Sequence, residues 1–492
     1  MLDTGLYWRP LGGNNIDQIS GHCYQYTCVE HFSSHKTVTS VVVDLGKFDN
    51  FNALDIKDTV AAVPDIRDLL ADASFNLQGI FLTHSHPDHL NGIFHYLRAG
   101  YKLPTLYGGR YTQIVLEDMY EFYAIPQEIR PYFMTIKDGD VFHFNGLKIE
   151  VLSSSHTCFD AFGFLISKKG VMVYHSGDMK LDNTTFFKKP TNIKRLKEVA
   201  LQIKYIVGDF CEIDQEGFSY RERDVYKTII DTVVKSRKNK VYIPVYPTHI
   251  EMYIIAFLAA LKLRKNVVFY GDDEFYTYMR ILSLYGIDFA RMARNRIKVF
   301  YQIPQDLKEL GEKYAIIGSY TKLDDNFITT QSDGIAFITA KYRFSLFKKQ
   351  AELAGLKMIT LNDNPQLRGS GHSFMGDWQY LTSLIPQAII IPTHCPVFVL
   401  ESFYGLGKLA GLNLITPLPR NNEFYRLRSQ SFSKISKNPA LWLLAGKDKQ
   451  FREVLQQPTA GKGNIKRTYS KRRTLQKFKI IKYKMEKKNA NK

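Results

Sequence analysis

The chain has 492 residues, too long for one simple core and enough for two or three domains. Its apolar fraction of 45% provides for a sizeable buried core and argues against a disordered chain. The formal net charge is +18 and unevenly placed: across residues 461–492, 13 are Lys or Arg and one, Glu486, is acidic.

Residues 38–46 form a β-branched run closed by Gly46, as in a buried strand, and residues 79–83 form a second short apolar run. Leu90, Ile93, Phe94 and Leu97 then fall at helical spacing, which predicts a helix from Pro87 to about Ala99. Leu147, Ile149 and Val151 alternate as in a half-buried strand. Residues 162–166 and 171–174 flank the turn Lys168-Lys169-Gly170 and read as a hairpin. From about Asp209 to Leu361 the pattern changes. Apolar runs at 241–245, 267–270, 315–317 and 335–339 alternate with helical stretches such as 250–263, which predicts a parallel α/β sheet. From Gly369 to about Pro419 the earlier style returns, with 388–391 as a buried strand. The expected fold class is therefore α/β, one layered domain interrupted by a second: 1–208 first part, 209–365 insertion, 366–428 return segment, and 429–492 a polar, then basic tail expected to be disordered.

The strongest chemical signal is Thr83-His84-Ser85-His86-Pro87-Asp88-His89, at a strand-to-helix junction. Imidazole and carboxylate are the donors that borderline divalent ions such as Zn²⁺ prefer. Histidine is rare here, 13 in all, so the cluster is not a chance of composition. Four donors from one loop cannot fill two coordination spheres, so later strand ends are searched for more. His156, Asp178 and His394 each follow a predicted strand. Singly, each reads as a polar residue ending a strand; together with the cluster, each reads as a ligand.

The ordered set His84-x-His86-x-Asp88-His89, His156, Asp178 and His394 resembles that of metallo-β-lactamase-fold hydrolases. The resemblance implies an αββα sandwich. It implies that His84, His86 and His156 bind one metal, that Asp88, His89 and His394 bind a second, and that Asp178 bridges them. Asp44 matches the buried aspartate that supports the metal loop in this fold. More than 200 residues separate Asp178 from His394, room for an inserted domain as in the β-CASP branch, whose members are nucleases. That branch carries an acid after the next strand, matched by Asp209, then a histidine, matched by His372 in Ser370-Gly371-His372-Ser373, then a third motif, matched by His394. A histidine at the third motif resembles the RNA-processing members; DNA-repair members typically have valine. Within the RNA group, Leu11-Gly12-Gly13, the Ser-Gly-His element and Ile391-Pro392-Thr393-His394 are similar to ribonuclease J, over roughly residues 8 to 420. The sequence departs from that pattern at three places. Ser373-Phe374 stand where the family continues Gly-Ser, Glu251 and Met252 replace basic residues, and Ile317-Gly318-Ser319-Tyr320 is only a partial counterpart of a family element.

The implied activity is a two-metal ribonuclease, with Zn²⁺, or else Mn²⁺, activating a water for in-line attack on RNA phosphorus. Asp88 would also orient that water. His372 would protonate the leaving oxygen or bind phosphate, with Ser370, Gly371, Ser373 and Thr248 around the phosphate. The alternatives are a β-CASP DNA nuclease, a small-ester or thioester hydrolase of the same fold, and a nucleic-acid-binding protein without catalysis. The basic tail implies a polyanionic partner, RNA, the ribosome or an acidic membrane surface, or else serves solubility alone. A homodimer is compatible with the resemblance. Cys23, Cys28, Cys158, Cys211 and Cys395 form no CxxC pair, which points to a reducing compartment. With no signal peptide and no apolar stretch of about 18 residues to span a membrane, a cytoplasmic protein is expected.

Overall fold

The computed structural model describes residues 3–13, 20–33, 35–48, 63–319, 333–339, 345–395, 411–415, 419–428 and 431–435, so the basic tail at 461–492 lies outside the described residues. Two sheets form a sandwich. The first has eight strands in the order Phe432–Lys434, Tyr425–Leu427, Gly5–Gly12, Cys23–His31, Lys36–Val43, Leu77–Phe81, Leu106–Gly108 and Phe133–Thr135. The second has six, in the order Ile389–Thr393, Ile203–Asp209, Val171–His175, Ala161–Lys168, Leu147–Ser154 and Val141–Phe144.

Side chains alternate between the faces of a strand, and the cores follow that period. Val41 and Val43 face inward with Trp8, Tyr26 and Phe81, against Ile149, Val151, Phe164, Val173 and Val207 of the second sheet. Val42, Ile80 and Leu106 face the other way and pack on Ile93, Phe94, Leu97 and Val115 from helices. On the far side of the second sheet, Leu165, Tyr174, Ile206 and Ile390 meet the helical Leu196, Trp378 and Leu381. Helix, sheet, sheet, helix is the order of layers, an αββα sandwich.

A third sheet occupies the sequence between Ile203–Asp209 and Ile389–Thr393, which are parallel neighbours in the second sheet. Its six strands run Val299–Phe300, Asn266–Tyr270, Tyr314–Ser319, Lys240–Val245, Gly334–Phe337 and Lys357–Ile359, every pair parallel. The helix Ile250–Lys262 is buried on nearly every side, because it packs on this sheet and on the sandwich at once.

Three expectations are corrected. The helix expected from Pro87 to about Ala99 is two, Pro87–Leu90 and Gly92–Arg98. The Gly92 N–H leaves the helical ladder and donates to the Leu45 carbonyl at 2.9 Å, an approach where a Cβ would collide with the Leu45 and Gly46 carbonyls. The strand expected over 79–83 ends at Phe81, since the Thr83 N–H goes to a carboxylate instead of a neighbouring strand. The polar stretch expected from 429 contains the strand Phe432–Lys434, paired antiparallel with Tyr425–Leu427.

Candidate metal centre

Almost all the candidate residues sit where strands of the sandwich end. Asp44 follows Lys36–Val43, the segment His84 to His89 follows Leu77–Phe81, His156 follows Leu147–Ser154, Asp178 follows Val171–His175, Asp209 closes Ile203–Asp209, and His394 follows Ile389–Thr393. His372 lies in the loop before the helix Met375–Leu384.

The metal loop is shaped from behind by Asp44. This residue is fully buried and left-handed, at φ 61°, a conformation that Asp tolerates better than most. Its Oδ1 accepts from the Thr83 N–H at 2.7 Å, and its Oδ2 accepts from the Thr83 hydroxyl at 2.8 Å and faces His89 Nδ1 at 2.8 Å. Since the Thr83 hydroxyl donates to Asp44, its lone pair is left for His84 Nδ1, 3.0 Å away. His156 Nδ1 lies 2.8 Å from the Gly371 carbonyl. With Nδ1 tied in each case, the lone pair of Nε2 is aimed at the centre.

Two clusters of donors result, within each of which the ligand atoms lie within 4.8 Å of one another: His84, His86 and His156, and His22, His89, Asp178 and His394. Asp178 faces both. Its Oδ2 is 3.9 Å from His84 Nε2 and 3.8 Å from His156 Nε2, while its Oδ1 is 3.4 Å from His89 Nε2 and 3.0 Å from His394 Nδ1. Asp88 sits at the mouth with its side chain 23% exposed, its Oδ2 3.8 Å from His89 Nε2 and 3.7 Å from His394 Nε2. Beside them, His372 Nδ1 is 2.7 Å from Asp209 Oδ2, and these two group with Asp178 and His394.

Burial and neighbouring imidazoles hold His84 well below its ordinary titration range, and burial with the His86 imidazole does the same to His156. His86 is lowered to about 4, chiefly by burial. The second cluster behaves oppositely. Burial would lower His89 and His394, but the carboxylates of Asp178, Asp88 and Asp44 raise the first, and Asp178 leads in raising the second. Asp178 is held well below the usual carboxylate range despite burial, by His394 and His89. Burial would lower His372 too, yet Asp209 raises it.

The donor set fits divalent ions. The buried Nε2 atoms of His22, His84 and His89 have no hydrogen-bond partner among the described residues. A buried polar atom left so costs about 1–3 kcal/mol, which a bound cation would offset.

The residues expected around a phosphate fare unevenly. The Ser370 hydroxyl accepts from the His372 N–H at 3.1 Å, and the Gly371 carbonyl holds His156. Ser373 is fully buried and donates to the Met179 carbonyl at 2.9 Å, so it braces the loop and does not face the mouth. Thr248 is half-buried in the turn before Ile250–Lys262 and belongs to neither cluster. Glu251, where the resemblance calls for a basic residue, is buried and paired with Lys180 and Lys188, each at 2.6 Å. Lys188 in turn donates to the His156 carbonyl. A basic side chain at 251 would meet two lysines.

His22 was not foreseen. It closes the second cluster from the start of Cys23–His31, a strand whose residues gave no chemical signal. The signal available was Ser20-Gly21-His22, the same tripeptide as Ser370-Gly371-His372.

A family model described as "Beta-lactamase superfamily domain" matches residues 60–197. The match places these residues in the β-lactamase superfamily. Within it, the chain is similar to ribonuclease J: to that of Mycoplasma genitalium at 20% identity over 386 residues, 76% of this chain and 66% of the relative. It is similar to ribonuclease J 2 of Staphylococcus aureus at 24% identity over 210 residues, 42% of this chain but 37% of that relative's length. A crystal structure of an Enterococcus faecalis protein of unknown function shares the fold, with TM-score 0.59 and 15% identity over 86% of this chain and 100% of that one. No helix among the described residues is long and apolar enough to cross a membrane.

Proposed function

We propose that the protein is a two-metal-dependent ribonuclease that hydrolyses phosphodiester bonds of single-stranded RNA in the cytoplasm. The observation that carries this reading is Asp178, whose two carboxylate oxygens each face a separate histidine cluster. The similarity to ribonuclease J supports RNA as the substrate class. His84, His86 and His156 would hold one ion and Asp88, His89 and His394 the other, with Asp178 between them. Nitrogen and oxygen donors in this mixture suit Zn²⁺ best and admit Mn²⁺. When bound, such ions lower the pKa of water towards neutrality and neutralise charge on phosphate oxygens.

The chain's own groups supply the rest. Asp209 holds His372 by Nδ1 and favours its protonated form, so Nε2 can donate a proton to the leaving oxygen. Asp88, the most exposed carboxylate of the centre, is placed to orient the attacking water. Asp44 fixes His89, and Ser370 with Gly371 fixes the loop that carries His372. The charges at 461–492 would grip the RNA backbone without reading its sequence.

The test is incubation of the metal-loaded protein with matched single-stranded RNA and DNA of one sequence. The expected result is cleavage of RNA in preference to DNA, leaving 5′-monophosphates. Equal or faster cleavage of DNA would assign the protein to the DNA-acting branch, and hydrolysis of neither would overturn the nuclease reading.

A further inference from the structure

We propose that His22 is an additional protein ligand to the ion at His89, His394 and Asp178, and that it biases this position towards Zn²⁺ over Mn²⁺; the inference rests on the two-metal reading. Four observations carry it. First, His22 is 1% exposed, and its Nε2 has no hydrogen-bond partner among the described residues. An ordinary buried histidine satisfies both nitrogens. Here only Nδ1 is engaged, 2.8 Å from the Tyr24 hydroxyl, the arrangement that leaves Nε2 as the donor to a cation.

Second, the ring is built into the cluster. It stacks on His89 with centroids 4.2 Å apart and 17° between planes, and meets His394 edge-on at 4.3 Å. Its Nε2 stands 3.7 Å from Asp88 Oδ2, the same distance as His394 Nε2 from that oxygen. Third, its ligand atom lies within 4.8 Å of those of His89, Asp178 and His394.

Fourth, the backbone fixes it there. The His22 N–H donates to the Asp88 carbonyl at 2.8 Å, and its carbonyl accepts from the Gly46 N–H at 2.9 Å. Gly46 permits this: a Cβ there would stand 1.6 Å from the Asp88 carbonyl oxygen. The segment carrying His22 is therefore stitched to the metal loop itself. With His22 included, the second position offers three imidazoles and a carboxylate before Asp88 is counted. A nitrogen-rich set favours borderline Zn²⁺, whereas Mn²⁺ favours oxygen.

The experiment compares the full-length protein with His22→Asn by calorimetric titration of the metal-free forms with Zn²⁺ and with Mn²⁺. In His22→Asn, Zn²⁺ affinity at one of two sites should fall about 10- to 100-fold or more, the scale known for lesser, indirect contacts, with Mn²⁺ affinity changing far less. Equal Zn²⁺ affinities in the two proteins would overturn the proposal while leaving the two-metal reading intact. A parent protein that binds no ion would overturn that reading first. Should the variant fail to fold, the dicobalt form of the unaltered protein decides by proton NMR. Hyperfine-shifted imidazole N–H signals from six histidines, His22, His84, His86, His89, His156 and His394, are expected, and five would exclude His22.

Discussion

The two histidine clusters are neighbours that share Asp178, yet their electrostatics are opposed. His84, His86 and His156 face one another, with His156 Nε2 only 3.1 Å from His86 Nδ1, and Asp178 Oδ2 faces His84 and His156 at 3.9 and 3.8 Å. Protonating one of them would place a charge among imidazoles out of water, so they stay neutral. Asp178, with Asp88 and Asp44, raises the titration of His89, and Asp178 leads in raising that of His394. Burial thus lowers the titration of one cluster, while carboxylates raise that of the other. Asp178 is what couples them.

Removing that coupling should have the largest effect. Asp178→Ala deletes the oxygens facing both clusters, and in the proposed reading it costs at least one ion and about a thousandfold or more in RNA hydrolysis. Metal analysis of the purified variant together with its turnover checks this. A variant retaining both ions and near-normal rate would mean that the clusters act independently.

A smaller effect sharpens the contrast. Filling the second cluster must expel protons from His89 and His394, whose titration is raised, so cation affinity there should rise with pH. The linkage amounts to roughly tenfold per pH unit for each proton released. The first cluster holds His86 neutral down to about pH 4, so its affinity should be nearly flat between pH 6 and 8. Two-step titrations at pH 6, 7 and 8 measure both slopes; equal slopes would erase the distinction.

How legible the centre was in sequence follows the same division. His84, His86, Asp88 and His89 fall within one loop, and His156, Asp178 and His394 follow strands whose apolar runs announce them. His22 is different. It lies at the front of a strand 67 residues from His89, and only the pairing of Cys23–His31 beside Lys36–Val43, together with the hydrogen bonds to Gly46 and Asp88, brings it home. No local pattern encodes that contact. Ser373 shows the reverse failure: the residue type suggested a phosphate contact, and the turn of the loop spends its hydroxyl on Met179. Period and run length predict the strands and the parallel third sheet, whereas the αββα order of layers is implied by the resemblance. The break at Asn91 was not legible, because it depends on the Leu45 carbonyl, far away in sequence.

The central claim is that two adjacent cation sites share Asp178, and the most direct measurement is a count of ions. The metal-free protein would be titrated with Zn²⁺ and the bound metal determined after removal of the excess. The account predicts two ions per chain, falling to one or none in Asp178→Ala. A protein that binds no divalent ion, or binds two that are untouched by loss of Asp178, would contradict it.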